Sequence, residues 1–291
     1  MLAPFGDSYV PIRSQLGESP NWRPDQEDLV YVDIFAGNVH TFSPTTGVTE
    51  TQHFDGLVGA AVPAADGSLI VAVDRRLLRV DRRGVVHTEW EVEADLPDNR
   101  FNDCKCDPAG RVWAGTMSRA KVVGSANLYL LDTHGTLTVS IPGVTLSNGV
   151  GWSPDARSMY YIDSTTRRLD VLDFDVRDSS VSNRRTLVRF EPDVGLPDGL
   201  TVDAEGGIWV ALASGGAIRR YLPDATLDRT VELPVSHPTS LAFGGPDLRT
   251  LFVTTASFAL SGEELEAEPL AGTVLALDVG VGGLPAGLYG G

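Results

Sequence analysis

Oxygen-bearing side chains recur at one position of a pattern that is repeated six times along the chain. The repeats are roughly 40–50 residues long, and the position lies five residues before the turn that follows the first strand of each repeat. We term this position the axial slot. In the six repeats it is occupied by Glu18, Gly59, Asn102, Asn148, Asp198 and Thr239. Two carboxylates, two amides and a hydroxyl are hard oxygen donors, and such a set suits a divalent cation.

The elements that must position these side chains are short strands. The fifth repeat runs through LTVDAEGG, IWVALAS, GG, AIRRYLPD and RTVELPV, in which branched and aromatic residues alternate with Gly, Pro and Asp turns. Several strands per repeat at this period are typical of a propeller. The sequence therefore predicts an all-β, six-bladed β-propeller whose four-stranded antiparallel blades surround a central channel. Equivalent slots would face its axis and converge there.

The repeats begin near residues 17, 58, 101, 147, 197 and 238. No linker or low-complexity stretch divides the chain, so we expect residues 1–291 to form one domain. A propeller must close its ring, and the segment SYVPIR (8–13) could add a strand to the blade formed by residues 239–279. The best candidate for a helix is SGEELEAEP (261–269), which is short enough to be a loop with one turn.

Composition restricts the class of protein. The chain is 42% hydrophobic and 21% charged, as soluble globular proteins are. Its net charge of −16 argues against nucleic acid and anionic membranes as partners. It has no run of about 18–20 apolar residues, and its start has neither the basic region nor the apolar core of a secretory signal. We therefore expect a cytoplasmic protein; the sequence does not specify its oligomeric state.

Other chemistry has weaker support. Cys104 and Cys106 stand at i and i+2, which is poor spacing for a disulfide, and no neighbouring His or Cys completes a soft-metal site. We expect both to be buried free thiols. No GxSxG elbow is present, and no Gly-Gly pair precedes a helix, so a serine nucleophile and a phosphate cradle are not predicted.

Five motifs in order carry a family resemblance: GESPNW, RFNDCKCDPAGRVWAGTM, SNGVGWSPD, LPDGLTVDAEGGIWVA and HPTSLAFGGPDLRTLFVTTA. They resemble the senescence marker protein (regucalcin)/gluconolactonase/luciferin-regenerating enzyme family from about residue 14 to the end of the last repeat. The resemblance implies a six-bladed propeller that hydrolyses lactones and binds a divalent metal in its central channel.

The resemblance also implies roles for individual residues. Glu18, Asn148 and Asp198 would be the protein ligands of the metal. Arg100 and Asn102 would contact the substrate, and Asp198 would act as the general base. These residues include four of the slot positions that the repeat pattern identifies independently.

One motif departs from the family. After GTM, sugar lactonases of the family often have a short acidic stretch whose Glu lies on the substrate side. This chain continues as SRAKVV, with Ala120 where a carboxylate is expected. The departure puts a polyhydroxylated sugar substrate in doubt. Arg119 and Lys121 flank Ala120, and either would favour a negatively charged substrate if it reached the channel.

The prediction is a metal-dependent hydrolase that acts on a small-molecule lactone. Calcium is the first choice of cation, with magnesium, manganese and zinc as alternatives. The same site could instead serve another electrophile, such as a phosphotriester, or a cyclisation step in a biosynthetic pathway. A third reading is a calcium- or ligand-binding propeller without turnover.

Single residues also have alternative readings. Glu18 and Asp198 could be buried carboxylates paired with arginines, and Asn148 could cap a turn. Asp103 could contact the site from behind the slot residues. His237 could be a general base or a plain loop histidine, and we expect Thr239 to line the channel without binding the metal.

Overall fold

The computed structural model describes residues 9–291. These residues form six antiparallel sheets, each of four strands, around a central axis. In every sheet one strand is innermost and contacts the innermost strands of the neighbouring sheets. This arrangement confirms the prediction of a six-bladed β-propeller. That the whole chain is one domain stays a prediction.

The first three blades consist of consecutive strands. Blade 1 contains β2 (Gly17–Arg23), β3 (Asp28–Asp33), β4 (Asn38–Ser43) and β5 (Val48–His53). Blade 2 contains β6 (Val58–Pro63), β7 (Leu69–Val73), β8 (Arg76–Val80) and β9 (Val86–Glu91). Blade 3 contains β10 (Asn99–Cys106), β11 (Val112–Ser118), β12 (Ala126–Leu131) and β13 (Leu137–Val144).

The last three blades follow the same plan until the final one. Blade 4 contains β14 (Ser147–Trp152), β15 (Ser158–Asp163), β16 (Arg168–Phe174) and β17 (Val181–Arg189). Blade 5 contains β18 (Leu196–Val202), β19 (Ile208–Ala213), β20 (Ala217–Tyr221) and β21 (Leu227–Glu232). Blade 6 contains β22 (Pro238–Gly244), β23 (Thr250–Thr255), β24 (Val274–Asp278) and, as its outer strand, β1 (Tyr9–Val10).

The chain start closes the ring. Tyr9 pairs with Leu275 and Val10 with Val274, so the first described strand completes the sheet of the last repeat. The sequence predicted this role for residues 8–13; Ser8 lies outside the described residues. The β1–β24 ladder therefore closes the ring by joining the start of the chain to its last blade.

Hydrophobic packing holds the blades together. Six clusters of buried side chains are present in residues 9–291, and each cluster joins two neighbouring blades. Between blades 3 and 4, Trp113, Trp152 and Phe174 pack with ring centroids 6.0–6.1 Å apart. Such aromatic contacts stabilise beyond the apolar area that they bury. Trp113 and Trp152 are therefore core residues between these two blades.

The channel has two different ends. The innermost strands begin at one end of the channel, which we term the mouth. The connections between the second and third strands of each blade also lie there. These connections are residues 34–37, 74–75, 119–125, 164–167, 214–216 and 256–273. The innermost strands end at the base, with the turns 24–27, 64–68, 107–111, 153–157, 203–207 and 245–249. The mouth connection of blade 6 contains α1 (Gly262–Ala267), within the predicted helical segment.

The C-terminal segment crosses the base. Ala204 donates its backbone N–H to Gly282 at 2.9 Å, and Ala65 donates to Tyr289 at 2.9 Å, so the segment reaches from blade 5 to blade 2. It covers a cavity of about 560 Å³ at the inner-strand ends. None of the helices in residues 9–291 combines the length and the apolar character that crossing a bilayer requires.

Candidate active site

A change in strand register marks the axial slot in every blade. The pairing between first and second strands shifts between Glu18 and Asn21, Val58 and Ala60, Phe101 and Cys104, Ser147 and Val150, Pro197 and Leu200, and Pro238 and Ser240. Each shift includes or adjoins the slot residue. Irregularities of this kind bend a strand and re-aim its side chains, and they are common beside active sites. The slot is thus a ring of backbone irregularities as well as of polar residues.

In blade 2 the slot residue is Gly59, which has no side chain, and the backbone of β10 occupies the space beside it. A Cβ placed on Gly59 would lie 2.6 Å from the carbonyl oxygens of both Phe101 and Asn102. Real Cβ atoms do not approach oxygen so closely, so only glycine allows β10 to pass this near. The absence of an oxygen donor at the second slot is therefore a packing requirement.

Two slot amides are joined by a hydrogen bond. Asn102 donates from Nδ2 to Oδ1 of Asn148 at 2.7 Å and to the carbonyl oxygen of Ser147 at 2.8 Å. Asn148 in turn donates from Nδ2 to Oγ of Ser164 at 2.7 Å, and Ser164 donates to the carbonyl oxygen of Pro197 at 2.6 Å. This chain fixes the Asn148 amide and ties blades 3, 4 and 5 together. Sequence reasoning missed Ser164, because it lies sixteen residues from Asn148 in another part of its repeat.

The two slot carboxyl groups have few hydrogen-bond donors. Glu18 is 6% exposed, and Oε2 accepts from its neighbour Ser19 at 3.0 Å. Ser19 itself has a left-handed φ of 49°, a sparsely populated conformation for a residue other than glycine. Asp198 is partly exposed to the channel, and no donor within residues 9–291 forms a hydrogen bond with its carboxyl group. The sequence left open that Glu18 and Asp198 are paired with arginines. Such pairing is found for other buried acids, such as Asp28, which lies 2.6 Å from Arg23.

Burial and charge raise the pKa of both carboxyl groups. For Glu18, burial is the largest cause, followed by the negative charges of Asp198 and Asp103. For Asp198, burial again raises the pKa well above its ordinary value, and the charge of Asp103 adds to it. The positive charge of Arg100 opposes both shifts. The structure therefore brings three carboxyl groups within electrostatic range of one another.

Two further charged residues lie in the channel. Asp103 is 5% exposed, and burial raises its pKa while Lys105 opposes the shift. Lys105 donates from Nζ to the carbonyl oxygen of Leu200 at 2.6 Å, so it reaches from blade 3 to blade 5. Burial lowers the pKa of Lys105, and the charges of Asp103 and Glu18 oppose that shift. Sequence reasoning gave Asp103 only a supporting contact and overlooked Lys105, although both belong to the NDCK motif.

Arg100 enters the site from the start of β10. It is 6% exposed and donates from Nη1 to the carbonyl oxygen of Phe101 at 2.8 Å. Burial lowers its pKa to about 10, while the nearby charges of Glu18, Asp74 and Asp198 raise it and that of Arg119 lowers it. Arg100 is therefore a charged group close to the slot carboxyl groups.

The remaining candidates have other partners. Thr239 donates to the carbonyl oxygen of Gly17 at 2.5 Å and lies 2.9 Å from the hydroxyl of Thr254, so its hydroxyl links blades 6 and 1. His237 lies at the mouth with Nδ1 3.2 Å from the Ser214 hydroxyl. Cys104 and Cys106 are buried free thiols, as predicted.

The slot residues fit a hard cation in their chemistry. Among residues 9–291, no group of three or more His, Cys, Asp or Glu side chains is arranged to hold a metal ion. The predicted ligand set, however, contains only two carboxylates, and its third member is the amide of Asn148. Glu18 and Asp198 are surrounded by protein, repel each other and have few donors, so a bound cation would relieve an unfavourable arrangement.

Comparisons with known proteins agree with this architecture. A family model described as the SMP-30/Gluconolactonase/LRE-like region matches residues 16–257. The chain is 39% identical to the regucalcin of Danio rerio over 96% of each chain. It is 38% identical to a pentonolactonase of Haloferax volcanii over 93% of each chain.

A solved structure is also similar along its whole length. The crystal structure of a calcium-binding protein, regucalcin, from Agrobacterium tumefaciens matches with a TM-score of 0.93 and 29% identity, over 98% of each chain. The family model covers most of the chain, and the two sequence relatives match nearly all of it. As its motifs predicted, the chain belongs to the SMP-30/gluconolactonase/LRE-like family.

Proposed function

We propose that the chain is a divalent-cation-dependent lactone hydrolase whose site is the axial slot. The observation that carries the proposal is the surroundings of the Glu18 and Asp198 carboxyl groups. Glu18 is buried and Asp198 is partly exposed to the channel, and both carboxyl groups lack the side-chain donors that satisfy buried acids elsewhere in the molecule. Membership of a family that includes a named pentonolactonase supports lactones as the substrate class.

Glu18, Asn148 and Asp198 would hold the cation. The hydrogen bond from Asn102 and the one to Ser164 fix the Asn148 amide, which favours a preformed site. Calcium is the first choice because all donors are oxygens, and the name of the Agrobacterium relative agrees with it. Magnesium, manganese and zinc remain alternatives. A bound cation would polarise the lactone carbonyl and offset the charge of the two carboxylates.

Three side chains would orient the substrate and accept the proton. Arg100 and Asn102 would orient the lactone above the slot, since both lie on the inner strand of blade 3. Asp198 would accept a proton from the attacking water. The water oxygen would bond to the carbonyl carbon to give a tetrahedral intermediate, and the ring C–O bond would break as the carbonyl re-forms. The ring oxygen would then take up a proton to give the open hydroxy acid.

A lactone panel assayed with calcium and with chelator tests the proposal. We expect hydrolysis that chelator abolishes and added calcium restores. Asp198→Asn should remove it, whereas Asp247→Asn, a matched change in an exposed turn at the base, should leave it intact. Calcium binding without hydrolysis of any lactone would favour the binding-only reading. Hydrolysis that is unaffected by chelator would overturn the cation requirement.

Other features of the chain stay predictions from its sequence. They are a cytoplasmic location, the absence of nucleic-acid and membrane partners, and one domain over residues 1–291. The net charge of −16 supports the exclusion of polyanionic partners.

A further inference from the structure

The mouth connection of blade 3 is basic and lies beside the site. Residues 119–125 read RAKVVGS, so the connection contains Arg119 and Lys121 and no acidic residue. It follows β11, which pairs with β10, the strand of Arg100 and Asn102. This connection therefore has a positive charge where the family often has a carboxylate.

Strand register puts Arg119 on the same side of the sheet as Arg100. Arg100 pairs with Met117 across the β10–β11 ladder, and Arg119 donates its backbone N–H to Asp98 at 3.0 Å, which extends the pairing. Residues two apart along a strand share a face, so Arg119 is a diagonal neighbour of Arg100. The positive charge of Arg119 acts on Arg100, which confirms that the two guanidinium groups lie within electrostatic range.

The Arg119 guanidinium is available to a ligand. Its ion pair with Asp98 is 3.8 Å long, with the two side chains 55% and 75% exposed. Its other contact is a long hydrogen bond of 3.4 Å to the carbonyl oxygen of Pro97. Exposed pairs of this kind contribute little free energy, so an incoming anion could replace Asp98 at small cost.

The opposite side of the mouth is acidic. In a ring of six, blade 6 faces blade 3, and its mouth connection contains Glu263, Glu264, Glu266 and Glu268. The connection that leads into blade 3 also has three acids, Glu93, Asp95 and Asp98, so the attraction of an anion would be local to Arg119 and Lys121, while blade 6 would repel it. The field across the mouth would therefore orient a charged substrate as well as attract it.

We propose that Arg119, assisted by Lys121, selects lactones that carry an anionic substituent, a carboxylate or a phosphate. The inference rests on the proposed lactone hydrolysis and specifies its substrate class. The anion would lie at Arg119 and the ester would point inward to Asp198. Hydrolysis would add water across the ring C–O bond and leave a hydroxy acid with one more negative group than the substrate.

Two lactones that differ at one carbon test the inference. D-glucaro-1,4-lactone carries a carboxylate where D-glucono-1,4-lactone carries a hydroxymethyl group. We expect a higher kcat/KM for the carboxylate compound, a preference that weakens as salt is added. Arg119→Ala should reduce the preference by about fivefold, the upper range for an exposed charge pair. Arg119→Glu should reduce it further, and Arg119→Lys should restore part of it.

Controls separate the inference from the proposed function. Arg157→Ala removes one positive charge at the base and should leave the preference unchanged. A 6-phosphorylated gluconolactone, compared with its unphosphorylated form, shows whether phosphate is accepted in place of carboxylate. Equal hydrolysis of both 1,4-lactones, or a preference that survives Arg119→Glu, would overturn the inference while lactone hydrolysis stands. If other lactones of the panel are hydrolysed but neither of these two is, the inference fails while lactone hydrolysis stands; if no lactone of the panel is hydrolysed, the proposed function fails and the inference with it.

Discussion

Acidic side chains in the slot and at the base have opposite surroundings. At the base, Asp203 is fully buried and accepts from Trp209 Nε1 at 2.8 Å, from Arg220 Nε at 2.7 Å and from the backbone of Gly207 at 2.8 Å. Five residues earlier, in β18, Asp198 has no such donor in the described chain. Asp107 repeats the satisfied arrangement at the base of blade 3, with Arg111 Nε at 2.7 Å.

The difference separates structural acids from functional ones. A buried charge is costly unless it is paired and hydrogen-bonded, so the base acids meet the requirement for a stable fold. The slot acids Glu18 and Asp198 do not meet it and repel each other. An arrangement that weakens the fold and perturbs pKa values is typical of a site kept for chemistry.

The largest expected effect is on turnover. Asp198→Asn removes the proposed base and one cation ligand without changing side-chain size. We expect kcat/KM for a lactone to fall at least 100-fold, measured at saturating calcium. Without cation, the melting temperature should stay the same or rise, because one of the two repelling charges is removed. A loss of activity explained entirely by unfolding would contradict the assignment.

The matched change at the base should affect stability instead. Asp203→Asn removes the fully buried one of the three acids that pair with Arg220 and leaves it Glu205 and Asp228, so we expect a cost of about 3 kcal/mol, the lower end for a broken buried pair. We expect the melting temperature to fall by about 10 °C. The remaining folded enzyme should keep its kcat. If Asp203→Asn and Asp198→Asn had the same effects, the distinction between the two levels would be wrong.

A smaller effect links cation and pH. The pKa values of Glu18 and Asp198 are raised in the fold, so without cation these groups favour folding at low pH. They oppose it as pH rises above about 4, the ordinary carboxyl range, through the raised values. Calcium competes with protons for the same oxygens. The rise in melting temperature that calcium causes should therefore be larger at about pH 8 than at about pH 5.

That pH experiment has a direct control. Asp198→Asn should reduce the calcium effect at both pH values, because one of its ligands is gone. A calcium effect that shrinks as pH rises would contradict the protonation argument.

The smallest expected effect concerns specificity. Ala120→Glu would place an exposed acid at the mouth. Its surroundings would differ both from those of the slot acids and from those of the acids at the base. A hydrogen bond to a charged acceptor is worth roughly 1.5–3 kcal/mol, so preference for gluconolactone over an unsubstituted lactone should rise about tenfold. The ratio of the two kcat/KM values measures it. A wild-type preference for gluconolactone of ~100-fold or more would show that the site already has its acceptor.

The sequence by itself predicted the repeats and the ring of polar side chains. The spacing of six hairpin units sufficed for the propeller, because each blade is a local unit and only its neighbours complete its packing. The same spacing selected Glu18, Asn102, Asn148 and Asp198 as equivalent positions. Closure by the chain start also followed from the sequence, since a ring with one strand missing needs one supplied from elsewhere.

Tertiary structure alone decided how the site is assembled. Strict alternation along a strand would turn Asp103 away from Asn102, yet the register shift between Phe101 and Cys104 breaks that alternation, and the charge of Asp103 acts on Asp198. The contacts of Lys105 with Leu200 and of Ser164 with Pro197 join different blades. Local pattern cannot encode them, because they depend on where distant strands meet around the axis.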